Sequence, residues 1–462
     1  MRTSRSASVA DQLRASIHGD VVEPGAATYD EARRVWNGDI DRRPALIVRC
    51  TDAADVQAAV RVARKRDLLV SVRGGGHSFS GQAVADGALL IDLSRMNAVM
   101  VDPGTHTARA QGGSLNQDLD AATQAHGLGV TSGIVGHTGI SGLTLGGGIG
   151  WLMRRIGLSI DGLYACEVVT ADGELVRASA TENAELFWGL RGGGGNFGIV
   201  TEFEYVLHPI GPTLLAGFVG YPMEEAPRVL RAVRDFVADA PDEVGITAFL
   251  RIAPPMPFIP SDFHGQRMIA IGVCYAGTIE EGEVVVRPLR ELGRPAFDAI
   301  GPKPYAAFQQ VFDAAFPHGR HYYQKSVSLP PLSDTVIDVI AEHSMGITSP
   351  FTAIPIFTFG GAVARVPADA TAFPNRGATH EINITAAWTP GDPDRERHVA
   401  WTRAFHVALE PHARGVYVNF ITDQPAGGLR DVYGPATYDR LVTLKRSADP
   451  TNLFRFNQNI AP

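Results

Sequence analysis

The sequence predicts a mixed α+β protein in which a middle segment is inserted between two parts of a glycine-rich domain. Three observations carry this. The chain has 462 residues, enough for more than one hydrophobic core. Its 50 glycines exceed the usual ~7%, and the excess gathers in three blocks before Pro209. Helix and strand periods continue beyond that point, but the glycine blocks do not. The division is therefore 1–208, 209–410 and 411–462, the last a return to the first part.

The elements follow in order. A helix over 52–66 sets Val56, Ala59, Val60 and Ala63 on one stripe, with Thr51 or Asp52 as its cap. A strand at 68–72 runs into the first block, Arg73-Gly-Gly-Gly-His77-Ser-Phe-Ser-Gly81. Strands near 88–93, 98–101 and 107–111 precede a helix over 114–126, and the second block spans 133–150. A strand at 165–170, a turn at 171–173 and a helix over 182–190 lead to the third block, 191–198, and a strand at 199–205. Past Pro209, helices over 226–239, 280–292 and 333–343 alternate with strands such as 268–275 and 353–359. Two strands of alternating polarity, 380–388 and 415–421, come next. A helix over 438–448 and an Asn-rich tail, 452–459, close the chain.

Composition excludes several functions. Net charge is −8 with no dense basic run, so a nucleic-acid backbone is not an expected partner. No 18-residue apolar run exists and the N-terminal stretch lacks an apolar segment, so no membrane partner is expected and the expected location is cytoplasmic. Cys50, Cys166 and Cys274 are odd in number and set in apolar runs, which suits small buried hydrophobes and neither a disulfide framework nor a metal site. The chain has no P-loop, no G-x-S-x-G elbow and no H-E-x-x-H, so the defining residues of NTPases, α/β-hydrolases and zincins are missing.

Glycine runs at element junctions let backbone N–H groups face an anion, usually phosphate. Gly193-Gly-Gly195-Asn-Phe-Gly198 matches G-x-G-x-x-G, but a helix precedes it and a strand follows, the reverse of a dinucleotide site. Several anion-binding stretches in one domain, one of them with an embedded histidine, suit a bulky pyrophosphate-containing cofactor.

Six stretches in order carry a family resemblance: Trp36-Asn-Gly-Asp-Ile-Asp-Arg-Arg-Pro44, Ser71-Val-Arg-Gly-Gly-Gly-His77-Ser, Gly142-Leu-Thr-Leu-Gly-Gly-Gly-Ile-Gly150, Glu185-Leu-Phe-Trp-Gly-Leu-Arg-Gly-Gly-Gly-Gly-Asn-Phe-Gly198, Tyr417-Val-Asn419 and Leu453-Phe-Arg-Phe-Asn-Gln-Asn-Ile460. The chain resembles the berberine-bridge-enzyme-like branch of the vanillyl-alcohol oxidase/p-cresol methylhydroxylase flavoproteins. The resemblance implies that family's two-domain FAD-binding fold, with the substrate domain inserted between two parts of the FAD domain. It implies Arg73, Gly74, Gly75 and Gly76 as a pyrophosphate cradle, with Ser78 beside it, and His77 bonded covalently to the flavin 8α-methyl. It also puts Gly136, His137, Gly139, Ile140, Gly142, Gly146, Gly150, Asp161, Ile199 and Val200 on the cofactor side. Many relatives add a cysteinyl bond, but Val135 stands at that position and Cys166 lies too far along to replace it, so a single link is expected. Ile140 falls where a small aliphatic residue gates oxygen, compatible with an oxidase.

For catalysis, Tyr417 and Asn419 share one face of a strand at 415–421 by its two-residue period. Tyr417 matches an active-site tyrosine of some sugar-oxidising members. It takes a hydroxyl proton if its pKa falls well below ~10, or is a strand tyrosine with a satisfied hydroxyl. Glu381, sharing a face with Asn383 and Thr385, is a rival base or a solvated edge residue. Asn457 and Asn459 either bond the flavin edge or cap a C-terminal strand. His318 and His321 make a weak H-x-x-H. Asn375 in Phe373-Pro-Asn375-Arg376 and Gly162 depart from the family's usual His and Asn. The implied function is an FAD-dependent oxidase that takes a hydride from a small organic substrate and passes electrons to molecular oxygen. A dehydrogenase with another acceptor and a flavin-loaded binding or sensor protein are the alternatives.

Overall fold

The computed structural model describes residues 8–423 and 427–462. The helix Ala53–Lys65 begins where the Asp52 carboxylate accepts from the Asp55 amide, and it lays Val56, Ala59, Val60 and Ala63 into a core shared with Val48, Leu89 and Ile91. That core backs a four-stranded sheet in the order Asp20–Val22, Leu46–Arg49, Leu89–Asp92, Val70–Arg73, whose last three strands are parallel. A five-stranded antiparallel sheet follows, ordered Val99–Asp102, Thr107–Gln111, Ile199–Val206, Leu163–Val169, Leu175–Ser179. The first glycine block follows the end of Val70–Arg73, the second follows Leu128–Gly129, a short strand paired with His208–Pro209, and the third follows the helix Ala184–Leu190.

Residues 213–388 build an antiparallel sheet of eight strands. Its path is Phe297–Asp298, Thr213–Pro222, Arg267–Tyr275, Val244–Ile252, Ala353–Thr358, His380–Trp388, His321–Leu329, with Gly301–Pro304 paired beside Thr213–Pro222. Alternation along each strand separates its two faces. Ile354, Ile356, Ile382 and Ile384 pack with Val229, Leu230, Ile337 and Phe405 of the covering helices Ala226–Asp239, Asp334–Met345 and Arg395–Leu409. Pro355, Phe357, Asn383 and Thr385 point the other way, toward the glycine-rich region.

Two strand expectations are corrected. His380–Trp388 lies between two neighbours and all nine residues are buried, so it has no solvated face. Residues 415–421 do not form a strand. One bridge joins Gly415 to Ser328, and a 3₁₀ turn, Val418–Phe420, follows. The reason lies in side chains from elsewhere in the chain: the Asn375 amide donates to the Val416 carbonyl at 2.8 Å and the Tyr417 amide donates to Glu381 Oε1 at 3.3 Å. Side chains thus take the backbone groups a ladder would need. No C-terminal strand follows Asn452 for Asn457 or Asn459 to cap. Among the described residues, no helix is long and apolar enough to cross a membrane.

Candidate active site

A cavity of about 350 Å³ lies between the glycine blocks and the inward face of the large sheet. Its floor is backbone. Gly74, Gly75 and Gly76 line it after the parallel strand Val70–Arg73, and Gly139 and Gly142 line it from the second block. A Cβ on Gly75 would sit inside the backbone of Gly139, and one on Gly139 inside that of Gly75. The two blocks therefore touch without side chains between them, and Gly76, at φ +70°, turns the chain toward His77. The third block adds Gly193, Gly194, Gly195, Asn196 and Gly198, with the strand residues Ile199 and Val200. The helix-before, strand-after context excludes a dinucleotide fingerprint there, yet the block serves the same cavity. Its lack of side chains was the available signal.

The C-terminal residues are fastened onto this floor. Lys445, fully buried, pairs with Asp449 at 2.7 Å and donates to the carbonyls of Asn196 and Phe454. Asn457 lines the cavity, its amide donating to the Gly195 carbonyl, while its Oδ1 is buried without a partner. Asn459 also keeps an unpartnered buried Oδ1, but it lies off the cavity.

His77 is held from three sides and still borders the cavity, as does Ser78. Trp36 stacks on its ring at 4.6 Å, Nε2 meets His137 Nδ1 at 2.7 Å, and Thr138 Oγ1 lies 3.4 Å from Nδ1. Burial first, then the neighbouring His137 and His318, hold the His77 pKa well below the usual imidazole value. The ring nitrogens of His77, His137 and His318 lie within 4.8 Å of one another, a spacing that also suits a metal-ligand set. His318 thus joins a cluster that H-x-x-H did not foresee, whereas His321 faces Asp39 at 3.2 Å.

Opposite stands Tyr417. Its hydroxyl oxygen accepts from the Gly148 amide at 2.9 Å and from Asn419 Nδ2 at 2.8 Å, and the same amide group donates to the Leu143 carbonyl. Gly146 makes room, because a Cβ there would collide with Asn419. Tyr417 and Asn419 thus converge through the 3₁₀ turn and not through a strand face. Burial nevertheless pushes the phenol up to about 12 against the pull of those donors, so a lowered pKa does not occur.

Other sequence-predicted residues sit one layer back. Glu381 is fully buried and does not border the cavity. It bonds Ser328 and the Tyr417 amide, and burial raises its carboxyl to about 7. Its neighbours Asn383 and Thr385, one and two strand periods away, do line the cavity. Arg73 turns from the loop to pair with Asp92 at 2.6 Å. Asp161 is taken by Arg376 at 2.6 Å. Ile140 packs with Val200 and Tyr205 in the core behind the second block. Gly136 backs onto Asp313, and Gly150 onto Thr131 and Gly133. Each of these builds the wall without reaching its surface. Phe316, Pro355 and Phe357 complete the apolar part, supplied by the insert, whose sequence carries no motif for them.

The fold and the floor have known counterparts. A family model described as an FAD binding domain matches residues 44–179, and one described as berberine and berberine like matches 416–461. An FAD-linked oxidoreductase of Dictyostelium discoideum is 33% identical over 98% of this chain and 97% of its own. The (R)-6-hydroxynicotine oxidase of Paenarthrobacter nicotinovorans is 31% identical over 97% of both. The crystal structure of 6-hydroxy-D-nicotine oxidase from Arthrobacter nicotinovorans superposes with a TM-score of 0.87 at 29% identity, covering 97% of this chain and 98% of that one. Glucooligosaccharide oxidase from Acremonium strictum, with a 6-S-cysteinyl, 8α-N1-histidyl FAD, shares the fold at a TM-score of 0.86, 24% identity and 99% coverage of each chain.

Proposed function

Because the chain belongs to the berberine-bridge-enzyme-like family of FAD-linked oxidoreductases and is an FAD-dependent oxidase, we propose that His77 carries the flavin by a single covalent bond and that a small organic substrate is oxidised beside Tyr417. The observation that carries this is one cavity bordered by His77, by three side-chain-free glycine stretches and by the Tyr417–Asn419 pair. The residues fit the cofactor. Glycine backbone is open to the cavity where a pyrophosphate needs N–H donors, and the unpartnered Asn457 Oδ1 awaits a donor. Val135, where a second link would need a thiol, borders the cavity as an apolar residue, and burial raises the thiols of all three cysteines.

Bound flavin supplies a two-electron acceptor, with molecular oxygen as the expected final oxidant and hydrogen peroxide as product. The protein's own part is orientation. Two N–H donors occupy the Tyr417 oxygen, so its remaining O–H donates into the cavity, toward the oxygen or nitrogen on the carbon that gives up hydride. Asn383 and Thr385 offer further polar contacts on the insert side. Glu381 acts from behind: it holds the Tyr417 backbone, and its ionisation raises the phenol's pKa, which makes it a positioning residue and not the group touching substrate. A substrate with one oxidisable alcohol or amine group on a largely apolar body suits these walls.

The test is acid precipitation of the purified protein and of His77→Ala, followed by visible absorbance and a peroxide-coupled substrate screen. Flavin that stays in the wild-type pellet and leaves the variant, with peroxide formed once per turnover, is the expected result. Flavin released from the wild type would overturn the covalent link, and turnover without peroxide would overturn oxygen as acceptor.

A further inference from the structure

We propose that Arg251 anchors a carboxylate of the substrate, so that the oxidised group belongs to a molecule with an apolar body and an anionic far end. The inference deepens the function proposed above and rests on it for the place where hydride leaves. Arg251 sits on the strand Val244–Ile252 of the large sheet and is 7% exposed. Charged side chains are almost never buried this deeply without a partner. Among the described residues its hydrogen bond is from Nε to the Ile252 carbonyl at 3.2 Å, and no carboxylate pairs with it. The charge acting on it is a second cation, Arg320, which lies over the Phe351 ring at 3.9 Å and donates to the Ala315 carbonyl. Burial first, then Arg320, lower the Arg251 pKa to about 10, which leaves the guanidinium charged at neutral pH. Two desolvated cations side by side lack the anion that would offset their cost.

Space for that anion is present. Arg251 borders a second cavity of about 40 Å³ whose other walls are apolar, among them Phe218, Phe249, Phe258 and Phe312. That is room for about three water-sized groups, the size of a carboxylate. The guanidinium fork matches a carboxylate through two parallel N–H donors. The small cavity adjoins the large one on the same sheet face. Phe249 is in register with Pro355, and Arg251 with Ala353, itself in register with Thr385. Pro355 and Thr385 line the large cavity. Along the row Thr385, Ala353, Arg251 the middle strand contributes only a methyl group, and two strand spacings make the span roughly 10 Å. Ala315 borders the small cavity and Phe316, the next residue, borders the large one. One ring or a short chain bridges that span, with the carboxylate on Arg251 and the oxidisable carbon toward Tyr417.

Calorimetry on the purified, flavin-loaded protein gives the test, with benzoate and hexanoate each compared with its neutral primary amide. The tighter carboxylate should bind at least ~10-fold better than its amide. Arg251→Met should erase that preference and leave the amide's affinity unchanged, and Arg251→Lys should restore part of it. Without ligand, Arg251→Met should melt no lower than wild type, because it removes an unpaired buried charge. The bound carboxylate should also perturb the flavin absorbance, since its body reaches the large cavity. Equal affinity for acid and amide, an undiminished preference in Arg251→Met, or a lowered melting temperature of that variant without ligand would overturn the anchor. Tight carboxylate binding with an unchanged flavin spectrum would overturn its link to the substrate. Protein that carries no flavin would instead overturn the function proposed above, and the acid–amide comparison would still decide the anchor.

Discussion

The floor and the opposite wall of the cavity are made by different means. The floor is backbone: Gly75 and Gly139 meet where neither can carry a side chain, and Gly193–Gly195 continue the surface. The wall is side chain: Pro355, Phe357, Asn383 and Thr385 stand on one face of an eight-stranded sheet. A backbone surface suits a part every relative shares, such as a dinucleotide, because it permits little change. A side-chain surface on a rigid sheet can be altered one residue at a time without moving the strands, which suits a variable substrate.

The sharpest way to break this contrast is Gly75→Val. Its side chain must displace the Gly139 backbone, so a loss above ~3 kcal/mol and no retained flavin are expected. Soluble protein with one flavin per chain would show that the floor does not depend on that approach. Next comes Lys445→Met, which strands Asp449 in the interior and should cost about 3–5 kcal/mol in urea unfolding, part of it recovered in the double variant with Asp449→Leu. On the wall side, Tyr417→Phe should keep its flavin and slow flavin reduction by about 10²-fold, read by stopped flow. A variant that reduces flavin at the wild-type rate would remove the phenol from the substrate's contacts.

The smallest effect concerns pH. The Glu381 carboxyl sits at about 7 in the fold against 4.5 for the free group, so the folded state binds its proton more tightly than the unfolded chain does. The stabilisation is fully present below about 4.5 and is lost as pH rises through about 7. Glu381→Gln should therefore flatten the fall in unfolding free energy between those limits by on the order of 1–3 kcal/mol. An unchanged slope would mean that the carboxyl is ionised throughout.

The same contrast explains what the sequence made legible. Glycine clusters and the histidine within one are visible in a single chain because backbone sites demand particular residues at adjacent positions, and helices such as Ala226–Asp239 emerge from their 3.6-residue stripe. The wall was harder. Glu381, Asn383 and Thr385 look like one polar face, yet the strand lies between two others and Glu381 falls beneath Tyr417, outside the cavity. Periodicity gives the face of a strand but not what covers it. Likewise, residues 415–421 alternate as a strand should, and only the side chains of Asn375 and Glu381, distant in sequence, divert their backbone bonds. His318 shows the limit in another form, since nothing near it in sequence announces His77 and His137.

The fastening of the third glycine block by Lys445 and Asn457 also has a consequence for how the enzyme is made. His77 leaves the ribosome early, but the segment that locks Gly195 and Asn196 into place is translated on the order of tens of seconds later at ordinary elongation rates. A nascent chain in that interval holds only part of the surface its cofactor needs. Loading is thereby expected only once residues 445–457 are in place, so a chain cut before Lys445 should retain no flavin.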